Sequence, residues 1–341
     1  MKRVLFIDPV TRRPYRLGNP DQTPPGGTEA TVLRVSQGLA EKGYEIWISQ
    51  QERTVVERDQ YGIIYIPFTF RESLRCPPPD AVVCLRSHKI MPWLRRTFKK
   101  QPLYLWLHCF PGTRRRCLGD MALRHNFTVI TVSRSHACFV EKRCGTRPLV
   151  LYNPLRPGLE SLWTDVKDPD TLIFFSSPHK GLGQVLESFQ KLRAEFPKLT
   201  LKVANPGYIV EELRLEDGVI DLGALPHERV LREVASSFCV FYPQTTFAET
   251  FGLVFAEANA VGTPVLTHDL GSASEILSSA DQLVDCNNPT SIIERFTQWR
   301  EFGSPRPRMD PRFKLANVLC GWEELLRTKP TIQRTERLKI A

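Results

Sequence analysis

Cys239-Val240-Phe241-Tyr242-Pro243-Gln244-Thr245-Thr246-Phe247-Ala248-Glu249-Thr250-Phe251-Gly252-Leu253-Val254-Phe255-Ala256-Glu257-Ala258-Asn259-Ala260-Val261-Gly262-Thr263-Pro264-Val265-Leu266 is the stretch on which the reading of this 341-residue chain turns. Its first four residues form an apolar, aromatic run of the kind that fills a buried strand. A polar loop follows, Gly252 opens a helix over the alanine-rich segment, and Gly262-Thr263-Pro264 turns the chain into a second apolar strand. Strand, helix and strand in that order make a parallel βαβ unit.

The same alternation runs outward in both directions. Short apolar runs near 3–7, 45–49, 63–66, 81–84, 103–107, 128–132 and 148–151 read as strands, and a second series falls near 171–175, 199–203, 218–221, 238–242, 264–266 and 282–284. Amphipathic segments at 28–42, 133–143, 181–196 and 227–236 stand between them. The pattern predicts an α/β protein of parallel sheets covered by helices, and Leu172-Ile173-Phe174-Phe175 fits a strand buried on both faces. The series restarts near 154, where Asn153-Pro154-Leu155-Arg156-Pro157-Gly158 is punctuated like a linker. Two Rossmann-like domains are expected, 1–153 and 154–311, a size that suits two cores better than one. Ligands of such sheets bind beyond the carboxyl ends of the strands, so a cleft is expected. A last helix over 312–327 carries Leu315, Val318, Leu319, Trp322, Leu325 and Leu326 at helical spacing and must pack on something. Segment 312–341 is expected to return to the first domain, with a poorly ordered tail from Lys329.

Composition narrows the class. Apolar residues make up 42% and charged residues 24%, the balance of a soluble globular protein, and no run approaches the roughly 18 apolar residues of a membrane span. Met1-Lys2-Arg3-Val4-Leu5-Phe6-Ile7-Asp8 has too short an apolar core for a signal peptide and reads as a first strand. Nine cysteines, an odd number without a C-x2-C pair, argue against zinc ribbons and disulfide frameworks and for reduced thiols in the cytoplasm. Extracellular, transmembrane and disordered classes are set aside on these grounds. The net charge of +9 is unevenly held: residues 1–153 carry 25 Lys and Arg against 12 Asp and Glu, whereas 154–341 carry 21 against 25. The basic half either meets a membrane surface, an anionic acceptor or nucleic acid, or is a solvated surface without a partner. Arg95-Arg96, Lys99-Lys100 and Arg114-Arg115-Arg116 read as a face toward an anionic membrane or acceptor. Nucleic acid would want aromatic residues interleaved with the basic ones, or a recognisable module, and neither is present.

Three loops carry chemistry. Thr23-Pro24-Pro25-Gly26-Gly27-Thr28-Glu29 is a glycine turn between the first strand and the first helix, where Thr28 is a candidate N-cap. A diphosphate or sugar oxygen fits such a turn. It is neither G-x-G-x-x-G nor a P-loop, and an ordinary βα turn is the alternative. Phe174-Phe175-Ser176-Ser177-Pro178-His179-Lys180-Gly181-Leu182 runs from a strand end into a helix, and a lysine there makes a phosphate clamp. A lone Lys-Gly is commonplace, so a plain turn remains open. The third loop is sharper. Glu257 sits more than one turn inside a helix built of Phe255, Ala256, Ala258 and Ala260, where a carboxylate is costly unless it meets a hydroxyl or a cation. Carboxylates suit ribose and sugar hydroxyls, and the N–H groups of Phe251, Gly252 and Leu253 can meet further oxygens.

This third loop resembles the E-x7-E motif of retaining glycosyltransferases of family 4, glycosyl transferases group 1, whose usual form is E-G-F-G-L-x-x-x-E-A-x-A-x-G-x-P-V. Glu249, Phe251, Gly252, Leu253, Glu257, Ala258, Ala260, Gly262, Pro264 and Val265 match it. Gly26-Gly27-Thr28-Glu29, Trp106-Leu107-His108, Val132-Ser133, Asn153-Pro154, Lys180-Gly181 and Gly223-Ala224-Leu225-Pro226 follow the family's order, so the resemblance spans nearly the whole chain. It implies the GT-B fold: two Rossmann-like domains with parallel sheets facing a central cleft, the first for the acceptor and the second for the donor.

By position, the resemblance implies that Glu257 holds the ribose of a nucleotide diphosphate, with the base near 222–226. Glu249 and the amides of Phe251, Gly252 and Leu253 would orient the transferred sugar. Lys180, with Ser177 beside it, would neutralise the diphosphate. Gly27 would serve the acceptor and phosphate side, and His108 would touch the donor sugar. The chain departs from the family where Ser176-Ser177 stand in place of an arginine that binds phosphate. The implied activity is retaining transfer of a hexose, glucose from UDP-glucose as the family's commonest donor, to a saccharide or polyprenyl-linked saccharide in polysaccharide biosynthesis. No metal and no cofactor are expected, since no D-x-D signature stands at a suitable strand end. The expected location is the cytoplasm, at the inner face of the membrane. The alternatives are an inactive relative that binds nucleotide sugars, and a nucleotide-sugar epimerase on the same fold.

Overall fold

The computed structural model of the chain describes residues 2–18, 25–69, 77–112, 117–205 and 216–328. The chain divides into two units, Met1–Pro154 with Leu315–Ala341, and Leu155–Lys314. In the first run β1 (Arg3–Asp8), α1 (Gly27–Glu41), β2 (Glu45–Gln50), β3 (Glu57–Arg58), β4 (Ile64–Pro67), β5 (Ala81–Leu85), α2 (Met91–Thr97), β6 (Leu103–Trp106), α3 (Leu118–Arg124), β7 (Thr128–Thr131), α4 (Arg134–Cys144) and β8 (Leu149–Val150). They form one sheet in the order β3-β4-β2-β1-β5-β6-β7-β8, in which only the two-residue edge strand β3 is antiparallel to its neighbour. Val4, Leu5, Phe6 and Ile7 of the central β1 are all at most 1% exposed, the burial on both faces that a parallel sheet imposes.

The second unit holds β9 (Asp168–Phe174), α5 (Leu182–Glu195), β10 (Thr200–Asn205), β11 (Val219–Ala224), α6 (His227–Ser236), β12 (Ser237–Tyr242), α7 (Leu253–Ala260), β13 (Val265–Thr267), α8 (Ala273–Ile276) and α9 (Pro289–Phe302). Its sheet is parallel throughout, in the order β11-β10-β9-β12-β13. The strand order reverses between β1 and β5 in the first sheet and between β9 and β12 in the second. Loops leave to opposite faces at such a point, and the crevice they open is where doubly wound sheets bind ligands.

The last helix, α10 (Leu315–Arg327), belongs to the first unit. Its Trp322 ring lies 4.7 Å from that of Trp106 and 5.9 Å from that of Phe6, both on the sheet. Gly38 of α1 makes room for it, because a side chain there would stand 2.4 Å from Leu319. Tyr104 closes the contact by donating its hydroxyl hydrogen to the Leu325 carbonyl at 3.1 Å.

The structure corrects three local readings. The run near 282–284 is not a sheet strand: Ala280–Gln282 is a 3-10 turn and Leu283 makes only an isolated bridge to Thr267. The last helix begins at Leu315, because Asp310 caps a separate 3-10 turn by accepting from the Arg312 N–H at 2.8 Å. Gly26, not Thr28, is the N-cap of α1, since the helix already includes Gly27. Among the described residues no helix is long and apolar enough to cross a membrane.

Candidate functional site

The two chain segments that leave the switch point of the second sheet are cross-bonded. After β9, Ser176 and Ser177 are buried, Pro178–Lys180 makes one 3-10 turn, and Gly181 takes φ +92° before α5 starts. Only glycine fits there, since a side chain would stand 2.6 Å from Gln244. Gln244, just past β12, accepts the Thr246 and Phe247 N–H groups at 2.9 and 2.7 Å and donates to the Phe247 carbonyl at 2.8 Å. Gln184 of α5 accepts the Thr245 N–H at 2.9 Å. These bonds fix the loop that carries Glu249 against the loop that carries Lys180.

The chemistry of the two loops meets at one point. Lys180 Nζ donates to Glu249 Oε1 at 2.8 Å, and the Tyr242 hydroxyl donates to the same oxygen at 3.4 Å. The lysine also stands 5.0 Å from the centroid of the Phe247 ring, an attractive position for a cation. Glu249 is 7% exposed, and its main chain is clamped from the loop after β13: Ser272 N–H donates to its carbonyl at 3.0 Å, while Gly271 lies so close that a side chain would stand 2.4 Å from that oxygen. Beneath the pair, the Phe174 and Tyr242 rings stack at 5.4 Å and Phe255 meets Tyr242 edge-on at 5.4 Å. The Ser177 hydroxyl, 1% exposed, has no hydrogen-bond partner among the described residues. Buried hydroxyls are nearly always paired, so this one is chemically unfinished without a further partner.

Gly252 leads into α7 with φ +75°, its Cα packed so closely that a side chain would stand 2.5 Å from the Phe255 ring. The first N–H groups of α7 have no partner one turn back inside the helix, so this end presents donors and a positive dipole. Further along the same helix, Glu257 is 4% exposed and its Oε2 lies 3.1 Å from His227 Nε2.

The switch point of the first sheet carries a second polar cluster. Asp8 ends β1 fully buried, accepts the Tyr15 hydroxyl at 3.0 Å and pairs with Arg86 at 2.5 Å. Arg86 follows β5 with φ +62°, unusual for a residue with a side chain, and reaches Glu29 of α1 at 3.0 Å with its other nitrogen. The Glu29 carboxylate folds back over Gly26, where a side chain would stand 2.6 Å from it. Burial raises the Asp8 carboxyl above its ordinary value, with Arg86 opposing the rise. His108, just past β6, has its ring 4.6 Å from that of Trp106. Desolvation, with the charges of Arg86 and His136, lowers its imidazole well below the usual 6.5, so it is neutral at physiological pH.

The structure thus brings Lys180, Glu249 and the Ser177 segment together around one switch point, with Phe251, Gly252 and Leu253 at the start of α7 and Glu257 farther along that helix, paired with His227. Gly27, whose carbonyl accepts from the Thr31 hydroxyl at 2.8 Å, and His108 belong to the first unit. Gln244, Tyr242, Arg86 and His227 are absent from the motif reading. The Lys180-Gly181 step was legible in the sequence, but its neighbour Gln244 was not, since the two meet only through the fold. Arg95 is half-buried, and its guanidinium donates to the carbonyls of His125, Phe98, Lys99 and Gln101, so it also braces the loop after α2. Arg114-Arg115-Arg116 lie outside the described residues. Among the described residues no three His, Cys, Asp or Glu side chains gather as a metal would require.

Residues 167–313 match the family model of Glycosyl transferases group 1. A phosphatidyl-myo-inositol mannosyltransferase of Propionibacterium freudenreichii subsp. shermanii is 29% identical over 165 residues, 46% of this chain and 42% of that protein. An O-antigen chain mannosyltransferase B of Escherichia coli is 27% identical over 145 residues, 38% of this chain and 37% of that protein. The chain therefore matches less than half the length of these curated relatives. A solved glycosyltransferase of Rickettsia africae ESF-5 superposes with a TM-score of 0.69 at 13% identity, covering 96% of this chain and 98% of that one. That likeness shows the fold, which is GT-B.

Proposed function

We propose that this chain is a glycosyltransferase that moves a hexose from a nucleoside diphosphate sugar to a saccharide or lipid-linked saccharide in glycan or glycolipid biosynthesis. We further infer retention at the anomeric carbon, no requirement for a metal ion, UDP-glucose as donor, and a cytoplasmic location at the inner face of the membrane. The Lys180–Glu249 pair carries the reading: a cation and a carboxylate 2.8 Å apart at a sheet's switch point, beside two helix N-termini. Such a pair can divide one ligand between them, phosphate oxygens to the ammonium and sugar hydroxyls to the carboxylate.

In the transfer, the bond from the anomeric carbon to the diphosphate breaks and its electron pair leaves with the diphosphate. The acceptor hydroxyl forms the new bond on the same face, and its proton passes to the departing phosphate oxygen. Lys180 offsets the charge that builds on that oxygen, with the N-terminus of α5 behind it. The Ser177 hydroxyl supplies a neutral donor where the family has a guanidinium. Glu249 orients the sugar by accepting from its hydroxyls and forms no covalent bond. Gly27 and His108 keep, as proposals, the roles that the resemblance gives them.

The test is titration with the glucose and mannose forms of UDP-, GDP- and ADP-sugars, following nucleotide release and thermal shift without added metal. The mannosyltransferase names of the relatives make a mannose donor the competitor to UDP-glucose. One donor is expected to stabilise the protein and to be slowly hydrolysed. Lys180→Ala and Glu249→Ala should each slow turnover by about 100-fold or more, the scale of losing one preorganised electrostatic group, while both variants still melt cooperatively, Lys180→Ala at a lower temperature because the buried Glu249 carboxylate loses its cation. No stabilisation by any donor sinks the reading, and unchanged turnover in either variant sinks that residue's role.

A further inference from the structure

Two turns at one edge of the first sheet are held together by a single guanidinium. Residues 98–102 lead from α2 into β6 and residues 125–127 lead from α3 into β7, so both turns lie at the amino ends of neighbouring parallel strands. Arg95 Nε donates to the His125 carbonyl at 2.9 Å, its Nη1 to those of Phe98, Lys99 and Gln101 at 3.0–3.1 Å, and its Nη2 to that of Asn126. The end of α3 also closes on itself. The N–H groups of His125, Asn126 and Phe127 donate to the carbonyls of Met121, Leu123 and Ala122 at 2.9, 3.4 and 3.1 Å, with Asn126 at φ +47°. Main chain and Arg95 thus meet the carbonyls that a cation at a helix C-terminus otherwise serves. The remaining cations have no such work. Arg96, Lys99, Lys100 and Arg124 are exposed, and among the described residues their side chains have no hydrogen bond or ion pair. His125 lies among them: desolvation, with the charges of Arg124, Arg96 and Arg95, lowers its imidazole below the ordinary 6.5. Leu123, 40% exposed, adds an apolar side chain at the same end of α3.

We propose that this edge is a docking surface for an acidic segment of a partner protein, whose carboxylates pair with Arg96, Arg124, Lys99 and Lys100 while an apolar side chain rests on Leu123. Guanidinium groups free of other partners can take carboxylates bidentately, and the two lysines widen the field that draws the segment in. Position selects a protein over a lipid surface. Asp8, Arg86 and His108, the polar cluster of this unit, stand at the carboxyl ends of β1, β5 and β6, the opposite edge of the same sheet. A membrane on the amino edge would lie behind that cluster, whereas a protein can hold this edge and leave the other open. Nucleic acid would want exposed rings for its bases, and the rings of Phe98 and Phe127 in these turns are buried.

The experiment is fluorescence anisotropy of the full chain with a fluorescein-labelled Glu-Glu-Leu repeat peptide and its Gln-Gln-Leu counterpart, at about 50 mM salt where exposed charges still act. The acidic peptide should bind and the neutral one should not. Arg96→Glu with Arg124→Glu should weaken binding about tenfold or more, since like charges then face each other, with the melting temperature unchanged. Leu123→Ser should weaken it less, and Lys142→Glu with Arg143→Glu on α4 should leave it as it is. The His125 imidazole, identified in NMR spectra by its loss in His125→Gln, should titrate at higher pH with the peptide bound, because carboxylates offset the neighbouring cations. No binding of the acidic peptide, equal binding of the neutral one, or binding unchanged in the Arg96 and Arg124 double variant overturns the proposal. An unmoved His125 titration with peptide bound places the peptide elsewhere and overturns it too. Phosphatidylglycerol vesicles that bind through Arg96 and Arg124 when the peptide does not would give the edge to lipid instead.

Discussion

His108 shows how a single side chain ties the stability of the fold to pH. Its surroundings lower the folded-state pKa well below 6.5, whereas the unfolded chain titrates near its ordinary value. Below pH 6.5 the unfolded chain therefore binds a proton that the folded one refuses, and stability is lost as pH falls through that window. Asp8 acts with the opposite sign, since a raised carboxyl favours the folded state as pH falls toward 3.8. Comparing wild type with His108→Asn isolates the first effect. Urea midpoints at pH 7.5 and 5.5 should show wild type losing about 1 kcal/mol more than the variant, less than the limit of about 1.4 kcal/mol per pH unit for one proton. Parallel losses would show that the imidazole titrates normally. Single residues also mark the limit of motif reading. Glu249 and Lys180 were visible because spacing and turn chemistry expose them. Arg86 was not: its role depends on a left-handed backbone that brings a guanidinium from β5 between carboxylates of β1 and α1, a meeting of three distant segments.

Among the elements, α10 has the most unusual duty, since it follows the whole second unit in sequence yet completes the core of the first. Trp322 is fully buried between Phe6 and Trp106, with the room for its helix provided by Gly38. Trp322→Ala leaves a cavity that neighbouring rings cannot fill, so a loss of about 3–5 kcal/mol in urea unfolding is expected. A loss below about 1 kcal/mol would mean that the helix only covers the surface. The periodicity of Leu315, Val318, Leu319 and Trp322 announced a packed face, though the Phe6 and Trp106 rings that it meets were not legible in it. Strands were the most legible elements, because parallel pairing buries both faces and leaves near-continuous apolar runs such as Leu103–Trp106. Helices α2, α3, α8 and α9 went unread: three are of seven residues or fewer, too short for a periodic signal. The run at 282–284 failed for the opposite reason. Its apolar residues Leu283 and Val284 are only partly buried, while Gln282 is fully buried, accepts from the Asn259 amide at 2.8 Å and from the Val265 N–H at 2.8 Å, so a side-chain network takes the place of a strand ladder there.

Across the whole molecule, charge is distributed as sharply as structure. Residues 1–153 hold all of the basic excess, 25 cations against 12 acids, while 154–341 are slightly acidic. The first unit is the one for which we propose an anionic membrane surface. With Arg95 spent on carbonyls, α4 is the better carrier of that role: Arg134, Phe139, Lys142 and Arg143 are exposed on it, and the Arg143 guanidinium stands 5.8 Å from the Phe139 ring. An aromatic edge among cations suits a headgroup layer, each nearby cation contributing about 1 kcal/mol at an anionic surface. That attraction decays over a Debye length of about 8 Å at physiological salt, so binding should be salt-sensitive. The full chain is expected to sediment with phosphatidylglycerol vesicles at about 20 mM salt, to be released near 500 mM, and to ignore phosphatidylcholine vesicles. The double substitution Lys142→Glu with Arg143→Glu reverses two exposed charges on one face and should abolish sedimentation while leaving nucleotide binding intact. Equal sedimentation with neutral vesicles would point to apolar adsorption, and unchanged binding in the double variant would move the surface away from α4. No sedimentation even at low salt would leave the basic half as a solvated surface, and the acceptor that we propose would then have to reach the chain from solution.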